Sequence, residues 1–369
     1  LAIYSSIRAE EDTESKQFFK SRYFYVAVFS SIIAYYIRSF GMLTIMALTL
    51  HWLLQKKWNI SAAYFMSNVI LYLPYFIRNK VEGIEGRYMK TIMVNNPWRP
   101  ESGQVSSFSE FWDKIVTNLN DTIIHGFPKV LFPSIDVTEP GFMLTVFGLI
   151  IIFLVFLGVW NLGKYKYLFG SYIIFNMGIL LLWHTGNGVR YVWPLAGFIA
   201  FTSFYGIYIL ISKRVLKNKQ GASYKYLGLF FLVLSLFSFS EIKKIEKQAD
   251  SKLNPAYENY FRIARELKKQ PDSENYLVVC RKPSLFSYYS NTRTMNYPYS
   301  LDDRVIIQKI IDTGADLVVL EQLGYSSTPR YLLPAIQKNQ ELFQTVMHLK
   351  NPDTYLLWFN KEKAKENKY

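Results

Sequence analysis

Along most of the first 240 positions the apolar residues do not alternate with polar ones; they run together. After a short stub, Leu1 to Ser6, seven stretches read as helices apolar on every face: Tyr23 to Ile37, Met42 to Leu54, Ile60 to Ile77, Gly141 to Trp160, Tyr167 to Trp183, Tyr191 to Ile211 and Tyr224 to Phe239. A helix without a polar face does not suit the surface of a water-soluble domain, so such runs point to a bilayer. The first two fall short of the ~20 residues a perpendicular span needs, which predicts a broken or re-entrant pair.

From Glu241 the pattern changes. Asn254 to Lys269 carries Tyr257, Phe261, Ile263, Ala264 and Leu267, most of an amphipathic helical stripe. Tyr276 to Cys280 and Asp316 to Leu320 are short apolar runs of the buried-strand type. Between them, Asp302 and Asp303 can open a helix bearing Val305, Ile306, Ile310 and Ile311 and ending at Gly314. Strand, helix, strand predicts a right-handed crossover. Glu341 to Lys350 and Thr354 to Asn360 predict a closing hairpin around Asn351, Pro352 and Asp353. The expected fold is an α-helical polytopic membrane domain over 1–240, then a small α/β domain over 241–360 and a Lys-rich disordered tail over 361–369.

Composition agrees with a mixed molecule: half the residues are hydrophobic, 17% are aromatic and only 19% are charged, against a usual ~25% charged. Mean hydropathy is only +0.07, so soluble sequence must dilute the spans. The net charge of +14 would suit nucleic acid in a soluble protein, but here its position decides. Four Lys or Arg lie in 8–22, two at Lys56 and Lys57, two at Lys164 and Lys166, and five between Lys213 and Lys225. Every second connection is therefore basic. The others carry little bias: Arg38 alone, Arg190 alone, and Arg78 to Glu139 with seven basic and eight acidic residues. By the positive-inside rule the basic set is cytoplasmic, which makes the α/β domain extracytoplasmic and the protein a multi-pass protein of the inner (plasma) membrane. The charge is read as a topology signal and no nucleic-acid partner is expected. The chain begins at Leu1 without an initiator Met, and is expected to be a fragment lacking N-terminal spans.

Chemistry is sparse. Cys280 is the single cysteine, the four histidines are scattered, and no spacing suits a metal; no cofactor is called for. No GxGxxG or Walker A sequence follows either strand, although Arg281-Lys282-Pro283 makes a basic turn after the first. Arg38 sits in YYIRSFG, where the two short segments meet and where Gly41 allows a tight turn or a close approach of another backbone. A guanidinium there can fork onto a phosphate at headgroup level. Arg190 and Tyr191, in GNGVRYVWPL, stand at the outer mouth of a helix softened by Pro194, with His184 just before them. The outer loop carries Glu82, Glu85 and Arg87, then an amphipathic helix from Phe108 toward Val130 that can lie in the headgroup plane and roof a cavity. No spacing selects one of its carboxylates as a base.

These elements together, YYIRSFG between short spans, outer amphipathic helices, RYVWP opening a late helix and a C-terminal α/β domain, resemble the GT-C membrane glycosyltransferases. The similarity is greatest to the bacterial branch of the protein mannosyltransferase and lipid A aminoarabinose transferase superfamily, the family 39-like enzymes. The resemblance implies transfer of a sugar from a polyprenyl-phosphate donor to a lipid, glycan or protein acceptor on the outer face of the membrane. It also implies that Arg38, Arg190 and Tyr191 hold the donor phosphate, and that the catalytic acidic residue belongs to a first outer loop upstream of Leu1. The alternatives are another lipid-linked glycan enzyme, a polymerase or ligase, or a transporter or export component. Transport predicts inverted repeats and intramembrane charges, and neither is visible.

Overall fold

The computed structural model describes residues 1–12, 15–82, 92–132, 141–183, 191–215, 242–243, 246–247 and 249–366. The chain divides into two compact units, residues 1–95 with 104–244, and residues 96–103 with 245–369. The described residues are mostly helical, with one small mixed sheet.

In the first unit, α1 (Ala2–Asp12) leads to α2 (Arg22–Ile37), which Ser21 caps by accepting from the Tyr23 amide. At Arg38 the backbone turns extended, φ −155° and ψ 132°, and a single 3-10 turn leads into α3 (Met42–Leu54). The break expected between the two short segments is thus present. Gly41 serves the close approach: a Cβ there would lie 2.3 Å from the Ala34 carbonyl carbon. Next comes α4 (Trp58–Val81). Phe24, Val28 and Ile32 of α2 pack with Ile45, Leu48 and Trp52 of α3 and with Ile60 and Tyr64 of α4.

The later part holds α5 (Phe108–Asp121), a π turn (Thr122–Gly126), α6 (Phe127–Leu131), α7 (Phe142–Trp160), α8 (Lys166–Leu182) and α9 (Ala196–Ile209). The helix expected from Tyr191 becomes regular only at Ala196, because Pro194 confines Trp193–Leu195 to a 3-10 turn. Four stretches are long and apolar enough to cross a bilayer: Trp58–Val81, Phe142–Trp160, Gly163–Leu182 and Trp193–Ser212. The most apolar of these is α7. It meets α9 through glycine, since a Cβ on Gly158 would stand 1.9 Å from the Thr202 carbonyl oxygen and one on Gly206 would stand 2.2 Å from that of Leu154. The predicted span Tyr224 to Phe239 lies outside the described residues.

The second unit is a doubly wound α/β sandwich. Its helices are α10 (Pro255–Lys268), α11 (Pro283–Ser290), α12 (Asp303–Thr313), α13 (Leu333–Lys338) and α14 (Lys361–Glu366). Its strands are β1 (Leu277–Val279), β2 (Arg293–Met295), β3 (Leu317–Leu320), β4 (Phe343–Leu349) and β5 (Thr354–Phe359), in the order β2-β1-β3-β5-β4. β1 is parallel to both β2 and β3, while β3 and β5, and β5 and β4, are antiparallel. Alternate strand residues feed opposite faces. Val278 and Leu317 join Tyr260, Phe261 and Phe286 of α10 and α11, whereas Val279 and Val318 join Ile306 and Ile310 of α12.

Two sequence expectations change here. The crossover from β1 to β3 is not one helix but α11, β2 and α12 in succession. The strand β2 escapes a hydrophobicity reading because Arg293-Thr294-Met295 is an edge strand and only part-buried. The tail expected to be disordered over 361–369 is helical over Lys361–Glu366, tied down by buried Ala364 and by Lys361 Nζ on Asp316 Oδ1 at 2.5 Å. In addition, residues 96–103, which the sequence reading assigned to the membrane domain, belong to the second unit. Trp98 stacks edgewise on Tyr299, and Glu101 accepts from Arg330 at 2.6 Å and from the Tyr331 hydroxyl at 2.8 Å.

Candidate functional site

Three interruptions of helix come together in the first unit: the break at Arg38, the C-terminus of α8 and the turn before α9. The Arg38 guanidinium lies 5.3 Å from the Phe40 ring centroid. Phe40 meets Trp183 edge to face at 5.9 Å, and Trp183 meets Tyr191 at 6.3 Å. An aromatic relay therefore joins two of the residues expected to hold phosphate. Arg38 is exposed, and among the described residues its side chain has no hydrogen bond or ion pair. Arg190 and His184 lie outside the described residues, as do Glu85 and Arg87.

α5 is fixed against this region by its polar residues. Ser107 caps it, accepting from the Glu110 amide at 3.1 Å, while the Glu110 carboxylate accepts from the Ser106 amide at 2.8 Å. Asn118 then donates to the carbonyls of Leu181 and Trp183, each at 2.9 Å, satisfying the C-terminal end of α8. Lys114 donates to the carbonyls of Ile92 and Val94 at 2.6 and 3.2 Å, and burial pushes its ammonium below the ordinary range. With the polar side chains turned inward, the apolar stripe faces out: Phe108 is 81% and Trp112 56% exposed.

Just beyond, α5 widens into the π turn, a distortion that recurs at functional sites. A small cleft, partly open to solvent, is lined there by Asn118, Asp121, Thr122, Leu180, Tyr191 and Val192. His125 Nδ1 donates to Asp121 Oδ1 at 2.6 Å. Because the carboxylate can only accept, it fixes the tautomer and leaves Nε2 as the acceptor of a further proton. This pair was missed in the sequence, where its only signal is the spacing of four in Asp-Thr-Ile-Ile-His. Glu82, by contrast, is engaged by Arg78 at 3.0 Å. Among the described residues no group of three or more His, Cys, Asp and Glu is arranged to hold a metal.

A second cluster gathers the basic connections. Glu10, whose side chain is 1% exposed, accepts from His51 Nε2 at 3.1 Å and Trp52 Nε1 at 2.7 Å, with Lys57 and Lys164 each at 3.3 Å. Burial alone would raise this carboxyl, but His51, Lys57 and Trp52 outweigh it and hold it at about 2. Three connections read as lying on one side of the membrane thus meet at a single carboxylate. Compared with known proteins, the chain matches no family model, and no curated protein is significantly similar to it.

Proposed function

We propose that the chain is an integral, multi-pass glycosyltransferase of the inner (plasma) membrane, using a polyprenyl-phosphate-linked sugar and a lipid, glycan or protein acceptor at the outer face. The observation that carries this reading is the cleft in which Tyr191 stands with Asp121, itself bonded to His125. An inverting displacement needs a base on the acceptor hydroxyl and a cationic or hydrogen-bonding partner for the departing phosphate. In the proposed step the acceptor oxygen bonds to the anomeric carbon as the bond from that carbon to the phosphate oxygen breaks. The hydroxyl proton passes to a base; the resemblance implies an acidic residue upstream of Leu1, and His125 Nε2, with Asp121 stabilising the imidazolium beside the cleft, is the candidate proposed within this chain. The leaving polyprenyl phosphate keeps the electron pair, and Arg38, Arg190 and Tyr191 are its proposed partners. The convergence of Lys57 and Lys164 on Glu10 supports a cytoplasmic assignment for that set of connections.

The test is sugar transfer from a polyprenyl-phosphate donor by the full-length protein in proteoliposomes. His125→Ala is expected to lower turnover by about 10²- to 10⁴-fold, the usual contribution of a positioned acid or base. Undiminished transfer after Arg38→Ala and Arg190→Ala together would overturn the phosphate assignment. Absence of transfer from the wild-type protein to any of the three acceptor classes would overturn the reading itself.

A further inference from the structure

The strand order β2-β1-β3 in the second unit creates a topological switch point. From β1 the chain leaves through α11, on the face of the sheet that also carries α10, to reach β2; it then returns past β1 through α12 on the opposite face to reach β3. In open α/β sheets the loops leaving the carboxyl ends of strands at such a point part and leave a crevice, where ligands bind. Here Arg281 and Lys282 follow β1, Asn296, Tyr297 and Tyr299 follow β2, and Glu321 and Tyr325 follow β3.

Arg281 is caged by three rings: its guanidinium carbon lies 4.7 Å from the centroid of Tyr325, 5.3 Å from Tyr299 and 5.6 Å from Trp98. Ring contacts of this kind do not satisfy the guanidinium's five N–H donors, which need acceptors. Among the described residues none is supplied, and Nε is shielded from solvent without a partner. The nearby carboxylates are committed elsewhere. Glu101 holds Arg330 and Tyr331, and buried Glu321 accepts from the Leu323 amide and the Thr328 hydroxyl. Lys282 Nζ adds a second cation, 4.4 Å from the Tyr325 centroid, and the Tyr325 and Tyr257 hydroxyls are 3.1 Å apart. The Asn296 amide donates to the Tyr299 hydroxyl while its own oxygen is buried without a donor.

Two cations without a counter-ion, flat aromatic faces and phenolic and amide groups that can meet hydroxyls define a ligand class. We infer that the crevice beyond β1, β2 and β3 binds a saccharide bearing an oxyanion, phosphate or carboxylate, with Arg281 and Lys282 on the anion and the sugar ring against Trp98, Tyr299 and Tyr325. The site lies wholly within the second unit and does not depend on sugar transfer by the first.

The test is calorimetric titration of the full-length protein, in nanodiscs of phosphatidylcholine, with glucose 6-phosphate, glucuronate, glucose and inorganic phosphate. Both anionic sugars are expected to bind more tightly than glucose or phosphate alone. Arg281→Met is expected to weaken them about tenfold or more, and Arg281→Lys less, since it keeps the charge but loses the fork. Lys282→Gln is expected to weaken the anionic sugars while leaving glucose unchanged. No detectable binding of either anionic sugar, or unchanged affinity in both Arg281→Met and Lys282→Gln, would overturn the assignment. Inorganic phosphate binding as tightly as glucose 6-phosphate would overturn the saccharide, and competition by phosphatidylglycerol added to the nanodiscs would transfer the anion site to lipid headgroups and overturn it equally.

Discussion

Glu10 illustrates how one residue can carry a whole junction. In the sequence it is one of four acids, with Glu11, Asp12 and Glu14, among the four basic residues of 8–22, and nothing in its spacing marks it. In the fold it accepts from His51 and Trp52 and draws in Lys57 and Lys164, contributed by helices and turns far apart in the chain. Replacing the carboxylate by a neutral amide leaves Lys57 and Lys164 without their counter-charge and puts an NH2 donor in place of one acceptor oxygen, so Glu10→Gln is expected to destabilise the protein by about 2 kcal/mol at pH 7, measured by thermal unfolding in detergent. The pH dependence has a defined sign. The folded carboxyl titrates at about 2, below its ordinary 4.5, so its contribution is complete above that ordinary value and is lost as pH falls through the interval toward 2. The wild-type and Glu10→Gln melting curves are therefore expected to converge in that interval. A constant separation down to pH 2 would contradict the assignment. Asp121 was equally hidden: its partner His125 lies one turn away, but only the fold brings Tyr191 from a distant connection to the same cleft.

At the scale of elements, much was legible because hydrophobic period and end signals agree. The helix α12 begins where Asp302 accepts from the Arg304 amide and ends at Gly314 with φ +65°. The short segments α2 and α3 also match their expected bounds to within a residue. What failed had weak local signals: β2 is three residues long and only part-buried, and the tail helix depends on an ion pair to a residue far away in sequence. The amphipathic α5 was expected, but not that Lys114 and Asn118 would form its inward face. A spin label at Val116 is accordingly expected to be shielded from a water-soluble relaxation agent and open to oxygen, with the reverse at Asp113 on the polar side. Equal accessibility at the two positions would rule out an interfacial helix. The α7 and α9 contact makes a separate prediction: Gly158→Ala must force the backbones apart, at a cost of about 1–3 kcal/mol in thermal stability. Gly178→Ala on α8, with nothing within 4 Å of the added carbon, serves as the control.

For the molecule as a whole, charge alternation along the sequence assigns Lys57 and Lys164 to one side of a membrane and Arg38 to the other. Lys57 and Lys164 converge on Glu10, while Arg38 is linked through Phe40 and Trp183 to Tyr191. In intact cells, a cysteine at position 38 is expected to react with a membrane-impermeant maleimide, whereas one at 164 should react only after permeabilisation. The opposite pattern would invert the proposed orientation. The discontinuity of the second unit adds a constraint independent of any charge count. Residues 96–103 pack with 245–369, so both must occupy one compartment. In a bilayer, the chain between Gly103 and Ser251 must then cross an even number of times. Three described helices in that interval, Phe142–Trp160, Gly163–Leu182 and Trp193–Ser212, are long and apolar enough to cross. Three is odd, so either one of them stops short of the far side or the interval holds one more crossing. Trp98 and Glu101, held in place by Arg281, Tyr299, Arg330 and Tyr331, thus act as a checksum on the path of the intervening chain.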